Sequence, residues 1–232
     1  YYVYISMAGS KNKFSVILDT GSGLTVVPCD LCVGCGTHMG NKYLGGGTAT
    51  PCGAPCVATQ GSCSASVCRF SISYSEGSKL SGKFVTDKVC LGAWDKCAES
   101  DKVPFSFGCA TSMTNLFRTQ LADGIMGVNN NEHTTLLDSL RAHHDLPEDI
   151  FSICLGIEGG EFVVGGYNSK LSLFPDVPEP AWVPQVSKDN FYRVKVQKVS
   201  VAGQTYVLNA NAVLDSGTTY TFVPERLHMH LV

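Results

Sequence analysis

The chain has 232 residues, 44% hydrophobic and 16% charged, with 17 basic residues against 20 acidic ones. That length allows one or two domains and a large buried core, and charge far below the roughly 25% usual in globular proteins excludes a disordered chain. A net charge of −3 leaves no basic footprint for nucleic acid, and no run of 18 apolar residues is present to make a membrane-spanning helix.

Residues 1–28 alternate and then run apolar (Tyr-Tyr-Val-Tyr-Ile, a polar Gly-Ser-Lys-Asn-Lys turn, Phe-Ser-Val-Ile-Leu), which predicts a hairpin feeding a buried strand. Residues 29–68 are rich in cysteine and glycine and too irregular to assign. Residues 69–92 predict a second hairpin with Ser-Glu-Gly-Ser at its tip. Short apolar strands are expected at 103–109 and 124–128. A helix is predicted over 134–144, with Leu136, Leu137 and Leu140 on one face and a capping-box pattern from Thr135 to Asp138. The β pattern returns over 151–174, and Pro175, Pro178, Pro180 and Pro184 then mark a crossing. Strands resume at 191–201 and 205–215, and Pro224 stands where a helical turn can begin. The fold class is all-β with short helices.

Of the eleven cysteines, Cys29, Cys32, Cys35, Cys52, Cys56, Cys63 and Cys68 fall within 40 residues, followed by Cys90, Cys97, Cys109 and Cys154. Cysteines clustered among Gly, Ser, Thr and Pro read as a disulfide-stapled loop made in an oxidising compartment. The competing reading is zinc: Cys29, Cys32, Cys35 and His38 are each three residues apart, a spacing that makes a Cys₃His site conceivable, although such a site leaves eight cysteines to explain. An odd count leaves one thiol free or paired outside this sequence. Tyr1 is not an initiator Met and Leu231-Val232 stops inside an apolar pattern, so the chain is expected to be a piece of something longer. No Asn-x-Ser/Thr sequon is present to indicate a compartment.

One internal echo carries chemistry. Ser15-Val-Ile-Leu-Asp19-Thr-Gly-Ser22 recurs as Ala212-Val-Leu-Asp215-Ser-Gly-Thr-Thr219, each an apolar strand ending in Asp, a hydroxyl residue, Gly and another hydroxyl residue. At such a turn the N–H of Gly21 or Gly217 can donate to the carboxylate, and only Gly permits the close approach. Ser22 and Thr218 can bond the outer carboxylate oxygen, while Thr20 and Ser216 can lock the two loops together. Two facing carboxylates about 3 Å apart share a proton, so that one activates water as a base and the other polarises a carbonyl. A single Asp-Thr-Gly or Asp-Ser-Gly is more often an ordinary turn. Two copies after apolar strands reverse that reading.

With these motifs the chain resembles the pepsin-like aspartic proteases along essentially its whole length. Ala122-Asp-Gly-Ile-Met-Gly127 is similar to the segment that threads under the first catalytic loop. Ile72-Ser-Tyr74-Ser-Glu76-Gly-Ser78 is similar to the flap hairpin whose tyrosine covers the bound peptide. Phe105-Ser-Phe-Gly-Cys109 and Phe151-Ser-Ile-Cys154-Leu look like core strands of the cysteine-rich branch that includes nepenthesins, in which a disulfide-bonded insert follows the first active-site strand. A narrower resemblance, carried by Cys-Gly-Thr-His38-Met and the flap tip, is to the plasmepsin V subgroup, which trims exported proteins after an Arg-x-Leu signal. There a flap glutamate and a glutamine hold the substrate arginine, and Glu76 and Gln120 match them. Their plain alternative is a solvated flap tip and a loop amide. Asp87 and Asp123 carry no motif and read as surface or turn residues.

The resemblance implies a bilobal fold, with residues 1–174 as the first lobe plus inter-lobe strands and 175–232 as the opening of an incomplete second lobe. It implies a peptide or protein substrate, a monomer when full length, no cofactor or metal, and a place in the secretory pathway; a membrane anchor is left open. It also implies that Cys154 pairs with the C-terminal lobe. Two departures matter. Val26 stands where the family has a tryptophan supporting the flap tyrosine, and Ser75 replaces a flap glycine. A non-catalytic binding protein of the same fold is the alternative, although such relatives usually lose part of the Asp motifs.

Overall fold

The computed structural model describes residues 1–10, 12–130, 135–171, 180–186 and 189–230. The first 28 residues supply β1 (Tyr2–Met7), β2 (Lys13–Asp19) and β3 (Thr25–Pro28). The cysteine-rich segment, too irregular to assign from its sequence, holds β4 (Thr48–Ala49), α1 (Ala54–Ala58) and β5 (Ser62–Ser64). The second hairpin is β6 (Val67–Ser73) and β7 (Lys79–Leu91), followed by β8 (Val103–Met113), α2 (Leu116–Thr119) and β9 (Gly124–Gly127).

These strands form one sheet in the order β1-β2-β9-β3-β8-β7-β6-β5, with β4 beside β7. Strand β1 also pairs with the end of β7, Ser6 opposite Cys90, so the sheet curls back on itself. The pairing explains why β2 is nearly continuous in apolar residues: it lies between β1 and β9 and has no solvent edge. Ile5, Met7, Phe14, Val16, Phe107 and Met126 are fully buried in one cluster; Val26, Phe70, Leu80, Phe84, Phe117 and Ile125 fill a second. Each such side chain contributes roughly 1.5–3 kcal/mol by leaving water.

The predicted helix forms as α3 (Leu136–His143), and Thr135 caps it by accepting from the Asp138 N–H at 3.3 Å. Residue 134 of the expected span lies outside the described residues. Leu136 and Leu140 anchor α3 in the first cluster. Strands β10 (Phe151–Gly156) and β11 (Gly159–Val164) pair antiparallel, and Phe151, Ile153, Phe162 and Val164 pack on that cluster. Residues 172–174, Pro175 and Pro178 lie outside the described residues, while Pro180 and Pro184 sit in irregular chain. The last hairpin is β12 (Arg193–Val201) and β13 (Gln204–Val213), after which Pro224 starts the single turn α4 (Glu225–His228).

The cysteines pair as Cys29–Cys109, Cys32–Cys35, Cys52–Cys63, Cys56–Cys68 and Cys90–Cys97. Pairing consumes all three cysteines of the alternative zinc set. His38 turns its ring nitrogens to backbone oxygens instead, Nε2 lying 2.6 Å from the Cys35 carbonyl and Nδ1 3.1 Å from that of Gln120. Cys154 has no disulfide partner among the described residues.

Candidate functional site

Asp19 ends β2 in register with Gly127 of the parallel neighbour β9. The chain turns sharply after it because Gly127 runs beneath: a Cβ there would stand 2.5 Å from the Ser22 carbonyl oxygen and the Leu24 nitrogen. This close approach is why the segment ends in glycine. Val128 N–H donates to the Asp19 carbonyl at 2.8 Å and Asn129 N–H to that of Ser22 at 3.0 Å, so the loop rests on a fixed floor.

Within each loop the carboxylate is held as the motif predicts. Gly21 N–H donates to Asp19 Oδ1 at 2.9 Å, and the Ser22 hydroxyl donates to Asp19 Oδ2. In the second loop Gly217 N–H donates to Asp215 Oδ1 at 2.9 Å and the Thr218 hydroxyl to Asp215 Oδ2 at 2.6 Å. Between the loops Thr20 N–H donates to Ser216 Oγ (3.1 Å) and Ser216 N–H to Thr20 Oγ1 (2.9 Å). The two hydroxyls donate onward, Thr20 to the Leu214 carbonyl (2.8 Å) and Ser216 to that of Leu18 (2.6 Å). Each motif glycine faces the opposite carboxylate: a Cβ on Gly21 would lie 2.6 Å from Asp215 Oδ2, and one on Gly217 would collide with Asp19.

The two carboxyl groups are not equivalent. Asp19 is 4% exposed because β2 is covered on both sides, whereas Asp215 follows a hairpin that pairs only with itself among the described residues and is half-buried. Burial pushes the Asp19 carboxyl up to about 6; its bonds from Ser22 and Gly21 oppose the rise, and the neighbouring Asp215 adds to it. A second tie steadies the pair: Tyr192 donates from its hydroxyl to the Val128 carbonyl at 2.8 Å, and its own carbonyl receives the Leu214 N–H at 3.0 Å. Burial raises the Tyr192 phenol to about 12, so it remains a donor.

Tyr74 stands at the end of β6, with its ring 5.0 Å from that of Phe117. It packs on the cluster containing Val26, and among the described residues its buried hydroxyl has no partner at full hydrogen-bond geometry, Ser22 being the hydroxyl nearest in effect. Burial, then the charge of Asp19, raises this phenol well above its ordinary range. An aliphatic side chain at position 26 offers it no polar partner, in keeping with the departure from the family pattern there. Glu76 is exposed at the hairpin tip.

Gln120 follows α2 and is half-buried, its amide donating to the Ala122 carbonyl at 3.2 Å. The arm carrying it is tied to the flap: Asn115 donates to the Gly77 carbonyl (3.0 Å) and Leu116 N–H to the Ser78 hydroxyl (3.2 Å). The fold gives Glu76 and Gln120 a shared scaffold but no bond to each other among the described residues.

Two aspartates contradict their sequence reading. Asp123 is 1% exposed and accepts from Ser15 N–H, Ser15 Oγ and Gly40 N–H, each at 2.7 Å. It joins β2, the entry to β9 and the cysteine-rich loop. Asp87 accepts from Gly9 N–H (2.7 Å) and the buried Tyr43 hydroxyl (2.9 Å). Asp123 is thus no surface residue, while Asp87 is half-buried; donors distant in sequence converge on each. The buried, donor-rich site at Asp123 has one sequence hint, its place just before the Gly-Ile-Met-Gly run.

A family model described as eukaryotic aspartyl protease matches residues 1–232. The chain is 34% identical over 202 residues to Aspartic protease 5 of Toxoplasma gondii, covering 77% of this chain and 21% of that protein. It is 31% identical over 183 residues to Plasmepsin V of Plasmodium falciparum (72% and 29%) and 28% identical over 242 residues to Aspartyl protease family protein 1 of Arabidopsis thaliana (97% and 46%). The chain therefore spans less than half the length of each of these relatives.

Proposed function

Because the chain belongs to the eukaryotic aspartyl protease family, we propose that the full-length protein is an aspartic endopeptidase with Asp19 and Asp215 as its catalytic pair. The observation that carries this reading is the reciprocal lock of Thr20 and Ser216, which sets two fully hydrogen-bonded Asp loops face to face. The pair shares one proton, and in this chain burial favours it on Asp19. The ionised carboxylate takes a proton from a water, which attacks the peptide carbonyl while the protonated carboxyl donates to its oxygen. The proton gained from water then passes to the leaving nitrogen, and no covalent intermediate forms.

In this reading residues 1–174 make the first lobe and 175–232 open the second. Tyr74 covers the cleft, and Glu76 and Gln120 hold an arginine of an Arg-x-Leu substrate, an assignment resting on the plasmepsin V resemblance and on the shared flap scaffold. The five disulfides support folding in an oxidising compartment, and hence a processing role in the secretory pathway. Two intact carboxylate loops speak against a purely binding role.

The test is hydrolysis of peptides by the full-length protein and by Asp19→Asn and Asp215→Asn. Each variant is expected to lose about 10²–10⁴-fold in turnover while keeping a cooperative melting transition. Undiminished turnover in either folded variant refutes the assignment. Matched Arg-x-Leu and Ala-x-Leu peptides test the substrate class, and equal cleavage of both overturns it.

A further inference from the structure

His38 is left over once the zinc alternative is removed, yet it is not idle. Its ring is half-buried and lies between two backbone acceptors, the Cys35 carbonyl on its own loop and the Gln120 carbonyl on the arm below the flap. The next two residues continue the same seam: Met39 N–H donates to the Leu121 carbonyl at 2.9 Å, and Gly40 N–H to Asp123 Oδ1 at 2.7 Å. Residues 38–40 thus grip 120–123 by three successive contacts. On the other side the arm is gripped by the flap through Asn115, Leu116 and the Tyr74–Phe117 ring contact.

We propose that His38 is a specificity-positioning residue, which fixes the backbone of Gln120 from the cysteine-rich loop so that the Gln120 side chain can meet a cationic substrate side chain. The inference rests on the reading of Gln120 as a substrate contact. Each element has a stated job. The Cys32–Cys35 disulfide stiffens the loop that carries the imidazole, the ring spans the gap, and the carbonyl it meets belongs to the residue that selects. With His38 in place, the Gln120 amide rests on the Ala122 carbonyl of its own segment. A grip on the backbone leaves that amide free to exchange partners when substrate arrives.

The two ring nitrogens allow a discriminating experiment. Asn places its amide nitrogen where Nδ1 stood, keeping the Gln120 contact; Gln places its own where Nε2 stood, keeping only the Cys35 contact. Full-length wild type, Gln120→Ala, His38→Ala, His38→Asn and His38→Gln are assayed for kcat and KM on matched Arg-x-Leu and Ala-x-Leu peptides. Folding of each is certified by a cooperative thermal unfolding transition. The expected result is that Gln120→Ala, His38→Ala and His38→Gln lose about 3- to 10-fold of the arginine preference, mainly through KM, while His38→Asn retains it. If Gln120→Ala loses the preference but His38→Ala and His38→Gln keep it, the His38 proposal fails and the reading of Gln120 stands. If His38→Gln restores the preference and His38→Asn does not, the ring only braces its own loop and the proposal also fails. If Gln120→Ala keeps the preference, the reading of Gln120 fails and carries the proposal down with it.

Discussion

Thr20 and Ser216, 196 residues apart, exchange backbone N–H and side-chain hydroxyl in both directions, each hydroxyl accepting one bond and donating another. Among the described residues no other contact so directly fixes the distance between the two carboxylates, because each partner is adjacent to its Asp. The lock is also economical in chemistry: neutral hydroxyls hold the loops without placing a third charge beside the pair.

Thr20→Val removes an acceptor for Ser216 N–H and a donor to the Leu214 carbonyl without changing side-chain shape much. Leaving these groups unpaired costs about 1–3 kcal/mol, so the melting temperature is expected to fall by roughly 2–12 °C. Turnover should fall with it, since the carboxylates lose their spacing. Ser216→Ala should behave alike, and the double variant should cost less than the sum, because both belong to one network. Additive losses in thermal unfolding would show that the two residues act separately.

The raised Asp19 carboxyl makes stability depend on pH in a definite direction. Folded Asp19 keeps its proton to about pH 6, whereas the unfolded chain releases it near the ordinary value of 3.8. The folded state thus binds the extra proton between these values, and stability falls as pH rises through that window. The loss amounts to roughly 2–4 kcal/mol and is complete about one pH unit above the folded value. Asp19→Asn abolishes this component, so melting temperatures of wild type and variant, compared from pH 4 to 7, should diverge across the window and run parallel above it. Activity requiring the shared proton should decline as pH rises through about 6, where folded Asp19 gives it up.

Disulfide removal should grade with the loop each bridge closes. Cys29–Cys109 spans 80 residues and Cys32–Cys35 only 3. The chain-entropy relation gives about 4.5 kcal/mol for the first and about 1.5 for the second. Paired Cys→Ala replacements, compared by denaturant unfolding, should show the long bridge to be the costlier loss by a wide margin. Equal losses would mean that native packing, not the unfolded chain, dominates.

Asp123→Asn keeps shape but turns an acceptor-only carboxylate into a group with two donors. Three donors point at that carboxylate, so at least one meets another donor in a site closed to water. The expected cost is about 2–4 kcal/mol, among the largest for any single polar change in the first 130 residues. A loss below about 1 kcal/mol in equilibrium unfolding would contradict the buried role.

Interactions that span two or three residues are legible in the amino-acid order itself. Gly21 N–H and Ser22 Oγ reach Asp19 within one turn, and Gly217 and Thr218 repeat the geometry, so the motif predicts the bonds. The Thr135–Asp138 cap is equally local. The flap hairpin and the apolar strand β2 follow from alternation and its absence. What escapes is long in sequence. Asp123 and Asp87 read as turn residues because nothing near them in the chain announces the donors from Ser15, Gly40, Gly9 and Tyr43. Cysteine spacing does not yield pairing, since Cys29 and Cys109 meet only when β3 and β8 lie side by side. His38 matches a ligand spacing, yet its bonding is decided by the fold of the loop and the nearness of the arm.

The sequence alone therefore determined the chemistry on offer, two carboxylates each in a self-contained hydrogen-bonding turn, because such turns are closed by neighbours two and three residues on. Tertiary structure decided what surrounds them. Asp19 lies between paired strands and is buried there, so that its carboxyl rises to about 6. Burial is a property of what packs around a residue, and no stretch of sequence carries that information by itself.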